Sequence, residues 1–167
     1  GGKQDQYSAA FGGFNFIEFN QSNVVVKTLN LESSVIKELE ASLLLFFTGV
    51  SRDSDKIILS QSNNMAKKDK KAMDALHKIK NEATNMKNKI LDGDFYGIVE
   101  SMKTGWINKK KSADIISNPL IEKMYNSAIN AGALAGKVSG AGGGGFMIFY
   151  VPLDKRKSVI ESLQQFN

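Results

Sequence analysis

The 167-residue chain is 42% hydrophobic and 23% charged, the balance of an ordinary globular protein able to bury a core. It has no cysteine and one histidine, which excludes a disulfide framework or thiolate metal site and argues against an imidazole-rich metal centre. No run of 18 apolar residues occurs, so a helical membrane span is excluded, and the formal net charge of +5 favours anionic partners: nucleic acid, a membrane surface or phosphorylated metabolites.

The first residues, Gly1-Gly2-Lys3-Gln4-Asp5-Gln6, carry no methionine, signal peptide or basic leader and read like the interior of a longer protein. Phe11–Phe19 gives two strand-like pieces around the Gly12-Gly13 pair, with Phe14, Phe16, Ile17 and Phe19 near period two. Val24–Thr28 is β-branched and predicts a strand. Leu31–Ala41 predicts a short helix with Val35, Ile36 and Leu39 on one side, and Leu43–Phe47 predicts a buried strand stopped by Thr48-Gly49. From Ser54 to Asn88, Ile57, Ile58, Met65, Met73, Leu76, Ile79 and Met86 recur at helical spacing. Two helices are expected there, with a break between Asn63 and Lys70, methionines in the packing and His77 on the surface.

Asp94–Lys103 predicts a further helix. Pro119–Ala131 predicts another, with Asn118 as N-cap, Pro119 at the first helical position and Gly132 just past the end. Ala135–Gly145 is nearly all small residues. Phe146–Val151 is an apolar strand, Pro152-Leu153-Asp154 a turn, and Asp154 a candidate N-cap for a last helix to about Phe166. The chain stops inside that helical pattern, so a fragment is expected at both ends. Strands scattered among long helices predict an α+β fold, an antiparallel sheet with helices packed on one face.

The most unusual segment is Lys137-Val138-Ser139-Gly140-Ala141-Gly142-Gly143-Gly144-Gly145-Phe146, where five of the six residues from 140 to 145 are glycine. Glycine offers no side-chain packing and loses much backbone entropy on folding, so it is kept where backbone approaches something closely or needs positive φ. Exposed amides there would form an anion-binding nest; the alternative is a hairpin turn or a flexible loop. The order fits neither a P-loop nor a strand–G-x-G-x-x-G–helix unit. Three further segments stand out. Thr48-Gly49-Val50-Ser51-Arg52 puts an arginine fork just past a strand, where it could meet a phosphate or simply solvent. Gly105-Trp106-Ile107-Asn108-Lys109-Lys110 and Ile116-Ser117-Asn118-Pro119 follow later. Trp106 there is either a core residue or a sugar-stacking one, and Lys109 and Lys110 are either solvated or close to a phosphate.

Lys137–Phe146 and the strand after it closely resemble the third motif of the GHMP kinases, a family of small-molecule kinases, and the resemblance covers essentially the whole chain. It implies a GHMP kinase C-terminal domain of ferredoxin-like fold over residues 31–167, with 1–30 a remnant of the N-terminal kinase domain. It implies ATP and Mg2+ as cofactors, with Gly140, Ala141, Gly142, Gly143, Gly144 and Gly145 shaping the phosphate region and Gly142→Val harming that region more than folding. Gly2–Gln6 resembles the Gly-x-x-Asp-Gln segment of galactokinase-like members, which makes Asp5 the catalytic carboxylate and Lys3 and Gln4, with Ser139, substrate-binding.

The Thr48–Arg52, Gly105–Lys110 and Ile116–Pro119 segments resemble the members acting on seven-carbon sugar phosphates. That implies Arg52 as the contact for the sugar's own phosphate, and γ-phosphoryl transfer from ATP to a heptose 7-phosphate to give the 1,7-bisphosphate, in the cytoplasm. The family's other glycine-serine loop, which wraps the ATP phosphates, has no match in the chain, and neither does a strand after the last helix. The chain alone is therefore expected to fold but not to turn over ATP, the missing N-terminal domain being its partner. A non-enzymatic basic domain binding RNA is the competing class, but no RNP-like aromatic pattern is present and no metal ligand set is assigned.

Overall fold

The structure, a computed structural model, describes residues 3–50, 54–67 and 69–166. In chain order these form α1 (Gln4–Phe11), β1 (Asn15–Phe19), β2 (Val24–Thr28), α2 (Ser33–Ser42), β3 (Leu43–Phe47), α3 (Ser54–Ala66), α4 (Lys70–Leu91), α5 (Phe95–Ser112), a 3-10 turn (Asp114–Ile116), α6 (Pro119–Asn130), β4 (Ala135–Val138), β5 (Phe146–Tyr150), a second 3-10 turn (Leu153–Lys155) and α7 (Arg156–Gln164). The class is α+β, with two small antiparallel sheets. β1 and β2 form a hairpin, and β3, β5 and β4 form a three-stranded sheet with β5 in the centre.

Strand alternation divides the core in two. Met147 and Phe149 of β5 share one face with Val138 of β4, and all three are fully buried. They pack on Trp106 of α5, Ile116, Ile121, Met124 and Ala128 of α6, and Val159 and Leu163 of α7. Each such large side chain stabilises the fold by roughly 1.5–3 kcal/mol relative to exposure. Gly136 completes this face, because the Phe149 ring lies over it, 2.4 Å from where a Cβ would sit. On the opposite face Ala135 and Tyr150 pack on Val35 and Leu39 of α2 and Ile98, Val99 and Met102 of α5. That cover reaches only one end of the sheet. Leu45, Phe47 and Phe146 at the other end are 63%, 46% and 51% exposed.

The helix ends follow ordinary capping chemistry. Asp69 accepts from the Ala72 amide at 3.1 Å, and Asp94 from the Gly97 amide at 2.8 Å. Arg156, opening α7, donates to the carbonyls of Ala41 and Leu43 at 2.7 and 3.2 Å, which ties α7 to the α2–β3 junction.

Several expectations need correction. Residues 4–11 are a helix, ended by Gly12 at φ 61° with its amide on the Ser8 carbonyl, so Phe11 belongs to no strand. β3 is a strand, but not a buried one. Ala135–Val138, to which the sequence reading gave no element within its small-residue stretch, is strand β4. α5 runs on to Ser112 rather than ending at Lys103. Asp154 caps nothing: it lies in the 3-10 turn, and α7 starts after Lys155 with no side-chain cap. Met65 is 53% exposed and not a packing residue. The break between α3 and α4, the N-cap role of Asn118 and the exposed His77 agree with the sequence.

Candidate functional site

The glycine-rich loop joins β4 to β5, and the segments singled out in the sequence close on it from different directions. β3 runs on past its end: the Thr48 amide and hydroxyl both donate to the Gly145 carbonyl, at 2.8 and 2.9 Å, and the Gly145 amide donates to the Val50 carbonyl at 3.0 Å. Thr48 is buried to 2% exposure, so these bonds are shielded from water. From α5 the Lys109 ammonium reaches the Gly140 carbonyl. From the 3-10 turn the Ile116 carbonyl accepts from the Gly143 amide at 2.8 Å, and from the start of α6 the Asn118 side chain donates to the Gly143 carbonyl at 3.2 Å.

Gly142 shows why the loop needs glycine. Its φ is +121°, and a Cβ there would stand 3.0 Å from both the Ile116 side chain and its carbonyl oxygen. At Gly143 a Cβ would meet Ile57 of α3 at 2.9 Å. The loop backbone is thus seated directly on protein, so Gly142→Val is expected to strain the fold as well as the phosphate region. At the turn, the amides of Gly140 and Ala141 have no hydrogen-bond partner among the described residues.

The support beneath the loop is electrostatically closed. Lys110 pairs with both oxygens of Glu122 at 3.0 and 3.1 Å, and its ammonium lies 5.5 Å from the centre of the Trp106 ring. Burial pushes the Glu122 carboxyl up, but the Ser117 hydroxyl and Lys110 together outweigh that and hold its pKa below the ordinary value. Trp106 is 1% exposed and belongs to the core, not to a sugar platform; its buried indole N–H has no hydrogen-bond partner among the described residues. Lys137, half-buried on β4 just ahead of the loop, has no carboxylate partner among the described residues, and desolvation lowers its pKa.

Of the sequence-predicted residues, Ser139 stands exposed at the loop entrance, its amide on the Phe146 carbonyl at 2.8 Å, and Gly140–Gly145 form the loop itself. Lys3, Gln4 and Asp5 lie exposed at the start of α1, where the acidic Asp5 suits the helix dipole; no bond connects Asp5 to the loop. Arg52 lies outside the described residues, two positions beyond the loop-bonded Val50. Thr48, Lys109 and Asn118 stand out in the sequence as a strand stop, a cation either solvated or close to a phosphate, and a helix cap. Their common contact with the loop depends on long-range approach that spacing does not report.

The comparisons with known proteins point the same way. The chain is 40% identical over 166 residues to the D-glycero-alpha-D-manno-heptose 7-phosphate kinase of Campylobacter jejuni, a match covering 99% of this chain and 48% of that protein. The crystal structure of a D-glycero-D-manno-heptose 1-phosphate kinase from Bacteroides thetaiotaomicron is 36% identical with a TM-score of 0.70, covering 99% of this chain and 43% of the other. The L. major mevalonate kinase crystallised with R-mevalonate shares the fold at 16% identity, with a TM-score of 0.81 over 96% of this chain and 47% of that one. The chain thus spans about half the length of these relatives. A family model described as GHMP kinases C terminal matches residues 71–167, more than half of the chain, which therefore belongs to the GHMP kinase family.

Proposed function

We propose that the complete protein is an ATP-dependent sugar kinase that phosphorylates the anomeric hydroxyl of D-glycero-D-manno-heptose 7-phosphate, giving the 1,7-bisphosphate. The observation that carries this function is the closure of Thr48–Val50, Lys109 and Asn118 on the Gly140–Gly145 loop. The heptose-phosphate kinases among the relatives, at 40% and 36% identity, support the substrate class.

In this account ATP supplies the γ-phosphoryl group when bound. The Gly140 and Ala141 amides offer donors to a phosphate, and Ser139 at the loop entrance adds a hydroxyl. Asp5, with Lys3 and Gln4 beside it, accepts or orients the proton of the attacking sugar hydroxyl, and Arg52 holds the sugar's own phosphate in its planar fork. Residues 31–167 form the C-terminal kinase domain and 1–30 come from the N-terminal one, whose own loop would hold the nucleotide. Mg2+ is the usual companion of such transfers. The described residues contain no group of three His, Asp or Glu side chains that could hold a metal, so no step is assigned to one. No helix among the described residues is long and apolar enough to cross a membrane, and ATP as phosphoryl donor supports a cytoplasmic location.

The test is to incubate the complete protein with ATP, Mg2+ and heptose 7-phosphate and follow ADP. Sugar-dependent ADP release supports the proposal. ADP release only with another class of acceptor, such as mevalonate, would replace it.

A further inference from the structure

At the end of the three-stranded sheet away from the glycine loop, a cavity of about 450 Å³ opens between α2, α5 and the outer ends of β4 and β5. β5 carries the chain from the loop at Phe146 to the cavity at Tyr150, about 13 Å at the rise of a strand. The volume falls in the range of roughly 300–1,000 Å³ that small-molecule sites occupy. Its walls are mostly apolar, formed by Phe95, Val99, Leu134 and Pro152 with the Tyr96 ring.

Two almost fully buried residues bring polar atoms to these walls. Ser42, 2% exposed, donates its hydroxyl to Glu38 at 3.1 Å. Tyr150, 5% exposed, has no hydrogen-bond partner for its hydroxyl among the described residues. That hydroxyl is not sealed in: the side-chain atom among the described residues that is both sealed from solvent and unpaired is Trp106 Nε1. The opening beside Tyr150 is the cavity. Buried polar groups are normally paired, so a phenol left open at a concave apolar wall is a ready hydrogen-bond partner for a ligand. The charge at the cavity points to the kind of ligand. Its lining carries the carboxylates of Glu38 and Glu100 and the ammonium of Lys103. Lys103 pairs with Glu100 at 2.8 Å, which leaves Glu38 without a cationic partner among the described residues. In a chain of net charge +5 this lining is net negative, which disfavours nucleotides and sugar phosphates and favours a cation.

We propose that this cavity is a second binding site, for a small organic amine. The apolar body of the ligand lies on Phe95, Val99, Leu134 and Pro152, its ammonium meets the Glu38 carboxylate, and the Tyr150 hydroxyl is the second polar contact. The proposal does not rest on the kinase function. The test uses the complete protein and three probes of one shape: phenethylamine, the neutral phenethyl alcohol and the anionic phenylacetate. Binding is followed through the amide NMR signals of Tyr96 and Leu134 at the cavity and of Gly140 and Gly145 at the loop. Phenethylamine should shift the first pair saturably and leave the second unmoved, with a Kd on the order of 1 mM, the scale for a ligand of about nine heavy atoms. The alcohol should bind about two- to fivefold more weakly, and phenylacetate more weakly still. Tyr150→Phe keeps the packed ring and should weaken phenethylamine about two- to tenfold, the scale of one hydrogen bond. Glu38→Gln, at an exposed position, should bring the amine and the alcohol to equal affinity. The proposal is overturned by no saturable shift at Tyr96 and Leu134 up to about 10 mM, by phenylacetate binding as well as the amine, or by unchanged phenethylamine affinity in both variants.

Discussion

Replacing Gly142 by alanine should destabilise the fold, because the loop is seated on Ile116 and not merely held open for a ligand. The new Cβ would lie 3.0 Å from the Ile116 Cγ2 and carbonyl oxygen and 3.1 Å from its Cα, and the backbone is at φ +121°. Two costs add. An L-residue in sparsely allowed backbone costs about 1–3 kcal/mol. Forcing a methyl against packed backbone costs about another 1–3 kcal/mol, since Ile116 is fully buried and cannot swing away. The sum, about 2–6 kcal/mol, is a large share of a typical domain stability of roughly 5–15 kcal/mol. Urea unfolding of the 167-residue chain reads it directly: with a slope of about 2 kcal/mol/M, the midpoint should fall by about 1–3 M with the slope unchanged. Gly105→Ala is the control. Gly105 sits within α5 with no atom within 4 Å of its would-be Cβ, so alanine there should gain roughly 0.5–1 kcal/mol. A Gly142→Ala midpoint within about 0.2 M of wild type would refute the seating of the loop.

Two further expectations concern charge and chemistry. The Glu122 carboxyl has a folded-state pKa held below the ordinary 4.5. Its contribution to stability is therefore complete above 4.5 and lost as pH falls through the depressed folded value. Urea midpoints of wild type and Glu122→Gln should differ at pH 7 and converge in acid; a gap independent of pH would contradict the assignment. Asp5→Asn in the complete protein should lower kcat by about 10²–10⁴-fold while leaving ATP affinity near normal. Turnover close to wild type would remove Asp5 from the catalytic role.

The parts legible in the sequence were those written in local chemistry. Asn118-Pro119 marked the start of α6 because the cap oxygen and the fixed φ of proline act within one turn. The five glycines marked the loop because no packing argument retains them. β4 was hidden because Ala135, Gly136 and Lys137 have little strand propensity and Val138 alone is β-branched; they are a strand because β5 pairs with them and the Phe149 ring needs the empty side of Gly136. α1 was hidden for the opposite reason. It buries none of its residues, so no apolar stripe announces it. Leu45 and Phe47 look like core in sequence, yet α2 and α5 cover only the far end of their face. Within the site, the loop could be read from composition, but not the residues that clamp it. The bond from Asn118 to Gly143 spans 25 positions, and that from Thr48 to Gly145 spans 97.

The most direct test of the central claim is phosphorus NMR of the complete protein incubated with ATP, Mg2+ and D-glycero-D-manno-heptose 7-phosphate. The account predicts a new anomeric phosphate resonance that grows with ADP, one for one, and that fails to appear with the Asp5→Asn protein. ATP left intact in the presence of the sugar phosphate, or a product phosphorylated at any position other than the anomeric oxygen, would contradict it.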